Sequence, residues 1–203
     1  MTEIQTNVVR ILGGVERLDA GRVKGAMIRA HLEWARDHGS RAEFIGLFEE
    51  MPEVLRYQIS TLAPATWYPF ATLMAVDRLI IDRFGRGEPH FARELGAYVA
   101  QRMLAETQRF FSSNGLHDFF RRVALLHRDW YDFGSAEYVE SGERTGCMLR
   151  RGYGVHNTLD CAAMAGFYRE CIRLHGRAEA SVRESACRCR ADGFCAFDLA
   201  WGF

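Results

Sequence analysis

The sequence predicts an α+β fold in which a helical N-terminal half packs on an antiparallel sheet of about five strands. Apolar residues recur at helical spacing through residues 4–84, and glycine or proline closes each run. After Arg122 the chain becomes rich in aromatic and β-branched residues between glycine-containing turns, a pattern typical of strands. Helices first, then strands with one late helix, indicate segregated α and β layers.

Six helices are expected in the first part of the chain, over residues 4–18, 24–38, 40–48, 53–62 and 70–84 and from Pro89 onward. Ser40 and Glu43 have the S-x-x-E spacing of a capping box, which marks the start of the third helix. Gly115 is expected to separate the last of them from a short helix at residues 117–121. Together these signals predict a helical region over residues 1–89 and an α+β region over 90–203, forming one compact unit.

Strands are predicted over residues 123–133, 136–140 and 145–151, followed by a helix over residues 158–174. The final strands form a hairpin around Asp192 and Gly193, because both residues tolerate the positive φ of a tight turn. This hairpin brings the predicted sheet to five strands.

The amino-acid composition limits the classes of function that are expected. The 203 residues include 26 basic and 26 acidic side chains. The net charge is therefore zero and does not favour binding to nucleic acid. No window approaches the roughly 18 apolar residues of a membrane span, and the first residues do not resemble a signal peptide. A cytoplasmic location is therefore expected. In that reducing compartment the six cysteines are expected to be thiols or metal ligands.

A candidate metal site involves the terminal hairpin. Reflection about Ala191 places Cys187 opposite Cys195, within reach of one metal ion. Cys189 lies on the same strand face as these two cysteines. Glu184 lies on the opposite face and needs a β-bulge to join them. Cys161, near the start of the predicted helix, would add a long-range ligand.

Each of the six cysteines is also compatible with an apolar core position, which is the interpretation kept for Cys147 and Cys171.

The order Cys161, Glu184, Cys187, Cys195, read as C-x22-E-x2-C-x7-C, resembles the zinc site in the 4-vinyl reductase domain of phenol-responsive transcriptional activators. The resemblance covers residues 90–203 and implies a structural Zn²⁺ held by these four residues, with Cys189 as the reserve ligand. Two earlier segments, beginning at Val23 and Trp67, resemble an uncharacterised myxobacterial family.

The predicted late helix has a run of small residues, Ala162, Ala163, Ala165 and Gly166, which permits either close helix packing or a cavity. The family resemblance implies that this region lines a pocket for a hydrophobic or aromatic ligand. The candidate ligand-binding residues are His127, Trp130, Ala165 and Tyr168.

The sequence contains no Walker loop, Rossmann glycine pattern, nucleophile elbow or H-E-x-x-H motif. A Cys-His dyad of Cys147 or Cys161 with His156 stays formally open. The leading expectation is a non-enzymatic sensor or carrier of a hydrophobic small molecule, acting as a homodimer or through a downstream partner. An interaction scaffold of the same fold and an enzyme acting on a tetrapyrrole-like substrate are the alternatives.

Overall fold

The computed structural model describes residues 21–106, 115–153, 157–177 and 179–202, with the side chains of residues 103–106 outside that description. The helix expected over residues 4–18 and the His156 side chain lie outside the described residues.

Seven α-helices and six strands form the described part of the fold. The helices are α1 (Gly25–His38), α2 (Arg41–Glu50), α3 (Glu53–Ser60), α4 (Phe70–Phe84), α5 (Ala92–Glu106), α6 (Leu116–Trp130) and α7 (Thr158–Leu174). The strands are β1 (Arg22–Lys24), β2 (Trp67–Pro69), β3 (Ser135–Gly142), β4 (Thr145–Arg151), β5 (Ala180–Ala186) and β6 (Cys195–Trp201).

The strands form two antiparallel sheets. A small one pairs β1 with β2, and the main sheet has four strands in the order β3-β4-β6-β5. The α+β class is therefore confirmed, but the five-stranded sheet is wrong. Residues 123–130, predicted to begin the first strand, belong instead to helix α6.

Helix α6 is amphipathic, and this explains the error. Leu116, Phe119 and Phe120 are buried on one side, whereas Arg121 and Leu125 are exposed on the other. This spacing is the i, i+3, i+4 period of a helix. The aromatic and branched content of residues 123–133 suggested a strand, but burial at helical spacing determined the structure.

Local signals in the N-terminal half fix the helix ends. The Ser40 hydroxyl accepts a hydrogen bond from the backbone N–H of Glu43 at 3.2 Å, and the Glu43 carboxylate accepts one from the Ser40 N–H at 2.8 Å. The predicted capping box is confirmed. Pro52 precedes α3, and Gly85 follows the last residue of α4.

The two strands of the terminal hairpin pair symmetrically about Ala191, as predicted. Ala186 pairs with Ala196, which is symmetric about Ala191, and Ala191 adopts a left-handed conformation with φ 68°. A register shift between Glu184 and Ala186 is the β-bulge that the metal-site prediction required. The carboxylate of Asp192 stabilises the turn by accepting a hydrogen bond from the Cys187 N–H at 2.7 Å.

Helix α7 packs against α5 with close backbone contact. A methyl group at Gly96 would overlap the carbonyl of Ala163, and one at Gly166 would overlap the carbonyl of Arg93. On this face of α7 the small residues therefore permit close helix packing, which answers the alternative left open by the sequence.

One apolar core includes buried side chains of α1, α4, α7 and β6. It draws on both regions expected from the sequence, 1–89 and 90–203, and their division stays a prediction. Among the described helices, none combines the length and apolar character needed to cross a membrane.

The contact between α5 and α7 yields a stability prediction. Alanine at Gly96 or Gly166 should lower the free energy of unfolding by about 1–3 kcal/mol, because the added methyl group overpacks the interface. Helix propensity alone would give the opposite sign, favouring alanine by about 1 kcal/mol. Urea unfolding measures the difference. Gly193→Ala is the control, since nothing lies within 4 Å of its added methyl group.

Candidate functional site

An apolar cavity of about 430 Å³ lies between helices α1, α6 and α7 and the strands β3 and β4. Helix α1 contributes Ala26 and Met27, α6 contributes Trp130, and α7 contributes Met164 and Tyr168. The face of α7 with larger side chains thus borders the cavity, while the face with small residues packs on α5.

The structure brings three of the four predicted ligand-binding residues together. His127, Trp130 and Tyr168 line the cavity, whereas Ala165 lines a separate charged cleft beside α5. Sequence reasoning did not identify the three methionines of the lining, Met27, Met148 and Met164. Methionine is an ordinary core residue in helices and strands, so no pattern in the sequence could have singled these three out.

His127 uses both ring nitrogens within the protein. Its Nε2 donates to the Phe133 carbonyl oxygen at 3.0 Å, so Nδ1 is an acceptor, and the Tyr153 hydroxyl lies 3.0 Å from Nδ1 and 3.1 Å from Nε2. Burial lowers the pKa of His127 to about 4. The imidazole is therefore neutral at pH 7 and is fixed in one tautomer.

A buried ion pair between Arg150 and Asp160 lies next to Tyr153. Arg150 is 2% exposed, and its Nη1 donates to the Asp160 carboxylate at 2.7 Å. The guanidinium carbon lies 4.1 Å from the centre of the Tyr153 ring, close enough for a cation–π contact. Arg150 is also the cross-strand neighbour of Cys195, and Asp160 precedes Cys161. The pair therefore joins the cavity wall to the cysteines.

Cys161, Glu184, Cys187 and Cys195 converge, with one potential ligand atom from each residue within 4.8 Å of the others. The Cys161 sulfur lies 3.7 Å from that of Cys187 and 3.8 Å from that of Cys195. We call these four residues the thiol cluster. Helix α7, strand β5 and the terminal turn thereby meet at one point.

The electrostatics of the thiol cluster favour one thiolate. A hydrogen bond from the Cys161 thiol lowers the pKa of Cys195 to about 6, and the Arg188 N–H also donates to the Cys195 sulfur at 3.4 Å. Burial raises the pKa of Cys187 to about 12. One carboxylate oxygen of Glu184, Oε1, is buried without a hydrogen-bond partner, while Oε2 accepts from Arg190 at 3.1 Å.

The remaining cysteines lie outside the thiol cluster. Cys189 is exposed, Cys171 is buried, and Cys147 is half-buried on β4. Burial raises the pKa of Cys147 to about 11, which opposes formation of a nucleophilic thiolate. The Cys-His dyad considered from the sequence includes His156, which lies outside the described residues.

No protein-family profile and no curated protein matches the chain. Several solved structures match the chain, and they include H-NOX proteins. An H-NOX protein from S. oneidensis in the Fe(II)NO ligation state matches with a TM-score of 0.66 and 10% identity, covering 89% of this chain and 99% of that chain. Unliganded Fe(II) H-NOX from K. algicida gives a TM-score of 0.60 and 8% identity, covering 89% and 97%. At these identities the similarity establishes the fold alone.

These comparisons overturn the resemblance to the 4-vinyl reductase domain, and the assignment to an uncharacterised myxobacterial family has no support either. The chain shares its fold with H-NOX proteins. The prediction of zinc as the cofactor was also wrong, because it came from that resemblance. The names of the structural neighbours refer to Fe(II) and to haem. The spacing of four residues was too short a motif to identify the family.

The haem implied by these neighbours does not fit the described lining of the cavity. Haem iron needs an axial ligand such as histidine, thiolate or tyrosine. His127 has both nitrogens engaged, and none of the cysteines lines the cavity. Tyr131 and Tyr168 line it, but burial raises the pKa of both phenols and disfavours the phenolate that would bind iron.

The environment of His127 predicts a pH dependence of stability. Below its ordinary pKa of 6.5 the unfolded chain binds a proton that the folded protein does not bind until about pH 4. The free energy of unfolding should therefore fall as the pH is lowered from 6.5 to 4, by up to about 3 kcal/mol from this residue. His127→Gln should lose that part of the dependence in urea unfolding at several pH values. His90→Gln, which removes an exposed imidazole, should show the pH dependence of the wild type. If His127→Gln also showed the wild-type pH dependence, His127 would not be its source.

Proposed function

We propose that this protein binds an uncharged apolar small molecule in the cavity between α1, α6, α7 and the main sheet, and that it acts as a sensor or carrier of that molecule. The observation that carries the proposal is the cavity itself. Its volume of about 430 Å³ lies within the roughly 300–1,000 Å³ of small-molecule sites, and its lining is mainly apolar.

The lining also supports reversible binding. Methionines are unbranched and adapt their shape to an occupant, and three of them face this space. The phenol of Tyr168 and the indole of Trp130 add polar groups to the mainly apolar wall, which also includes Lys24, His127 and Asp129. Neither an aromatic ligand nor haem is specified by these residues, and gas binding through iron is not carried over from the H-NOX proteins.

The alternatives have less support. No observation on the described residues supports a homodimer: among the aromatic residues of the N-terminal helices, Trp34 is buried and stacks on His38, and Phe44 packs on Phe48. A scaffold role would leave the cavity unexplained.

A variant that fills the cavity tests the proposal. Ala26→Phe should lower the affinity for an apolar probe such as 1-hexanol at least about tenfold, because the ring occupies the ligand's space, while the melting temperature without ligand changes little. Isothermal titration calorimetry gives the affinity. Leu125→Phe, on the exposed side of α6, should bind like the wild type. Equal binding by Ala26→Phe and wild type would place the probe elsewhere.

We further propose that the thiol cluster binds one thiophilic metal ion. Three sulfur atoms and a carboxylate oxygen that lie close together form a four-ligand set, and soft thiolate ligands select ions of this class. The unpartnered Oε1 of Glu184 supports the proposal, because a buried carboxylate oxygen needs a partner. Arg150 and Arg190 lie near enough to offset the negative charge of the ligands.

Removal of one ligand tests the metal proposal. Cys187→Ser should reduce the metal content per chain, measured by elemental analysis of protein purified without chelator, and should destabilise the fold by several kcal/mol, because metal binding contributes folding free energy. Cys147→Ser should leave the metal content unchanged. Less than about half an equivalent of any metal in the wild type would contradict the proposal.

A further inference from the structure

A second, much smaller internal space lies deeper in the protein than the apolar cavity. Its volume is about 20 Å³, and it is lined by His31, Asp77 and Asp160 together with apolar side chains. We call it the inner chamber. It has room for one non-hydrogen atom, since a site for a single water needs about 10–15 Å³.

Asp77 is the polar residue of the inner chamber that lacks a partner. Its side chain is fully buried, and one carboxylate oxygen, Oδ1, is hydrogen-bonded to Nδ1 of His31. The other oxygen, Oδ2, is buried and has no hydrogen-bond partner. A buried polar atom without a partner costs about 1–3 kcal/mol, so a molecule that supplies one hydrogen bond at this point is favoured.

The inner chamber and the apolar cavity share a wall. Met27, Tyr131, Met164 and Phe167 line both spaces and therefore separate them. Two of the four are methionines, whose side chains change rotamer at low cost. A movement of Met27 or Met164 would join the two spaces, so that a ligand in the cavity reaches Asp77 with its end atom.

We propose that the ligand of this cavity is an uncharged apolar alcohol whose hydroxyl group enters the inner chamber and hydrogen-bonds to Asp77 Oδ2. The inference rests on the proposed binding of an apolar molecule and adds its polar end. The proton shared by His31 and Asp77 lies between Nδ1 and Oδ1, so Oδ2 is an acceptor to which a hydroxyl group can donate.

Charged end groups fit less well. A carboxylate would lose its hydration in this buried space and has no hydrogen to donate to Asp77 Oδ2. An ammonium group would lose its hydration in a buried space, and Asp77 is already paired with His31. An ether of the same size has no hydrogen to donate to a carboxylate oxygen.

Two isomeric probes test the proposal on the full chain. 1-Hexanol and butyl ethyl ether have the same atoms, but only the alcohol can donate a hydrogen bond. By calorimetry, wild-type protein should bind the alcohol about tenfold more tightly than the ether. The variant His31→Leu/Asp77→Leu, which replaces the buried pair with apolar side chains, should bind both within about twofold. Asp82→Leu, an exposed position on the same helix, should keep the wild-type preference.

The outcomes separate the two proposals. Equal binding of both probes by the wild type overturns the role of Asp77 but keeps the cavity as a binding site, and the inner chamber then holds water only. A preference that persists in the double variant also overturns the role of Asp77. Failure of both probes to bind overturns the proposed function as well.

If the double variant does not fold, NMR of the wild type decides the same point. Contacts between the C1 protons of bound 1-hexanol and the His31 ring support the proposal. Contacts of those protons with Ala136 at the opposite wall, and none with His31, contradict it.

Discussion

The buried ion pair between Arg150 and Asp160 is the constraint on which the candidate sites depend. It joins the centre of the main sheet to the first turn of α7, and both residues are almost fully buried. Removing one partner of such a pair commonly costs about 3–5 kcal/mol, because the other charge is left in a low-dielectric interior. The thiol cluster lies on one side of the pair and Tyr153, which holds His127, lies on the other. The pair therefore fixes both sites relative to each other.

Helix α7 has two different faces, and each has its own role. Ala163 and Gly166 allow the backbone of α5 to approach so closely that no side chain fits between. Met164 and Tyr168 point the other way and border the apolar cavity. Because α7 packs on α5 and on the sheet, it cannot settle into the cavity and close it. Rigid support on one face thus preserves space on the other.

The likeness to H-NOX proteins concerns the architecture and not the occupant of the site. A fold is compatible with many functions, and function depends on the residues placed in the site. Here the histidine of the cavity is neutral and engaged at both nitrogens, so it supplies no axial ligand. The same architecture instead encloses apolar side chains and, one layer deeper, the unpartnered oxygen of Asp77.

The sequence by itself determined the local features. The capping box at Ser40, the helix Thr158–Leu174 and the hairpin about Ala191 depend on residues close in the chain, whose side-chain and backbone chemistry acts locally. The convergence of Cys161 with the hairpin cysteines was expected only if helix and hairpin packed together, and the four residues were chosen from the family resemblance. Whether a metal fills that set stays a prediction.

Tertiary structure alone decided the rest. Residues 123–130 became helix because they continue the amphipathic helix that Leu116, Phe119 and Phe120 anchor in the core, which their strand-like composition did not reveal. Ala165 faces α5 and not the cavity, since the rotation of α7 is set by its contacts with Gly96 and Arg93. His31 and Asp77 are 46 residues apart and pair only because α1 packs on α4. Such pairings depend on how distant helices pack, and no local pattern in a single sequence encodes them.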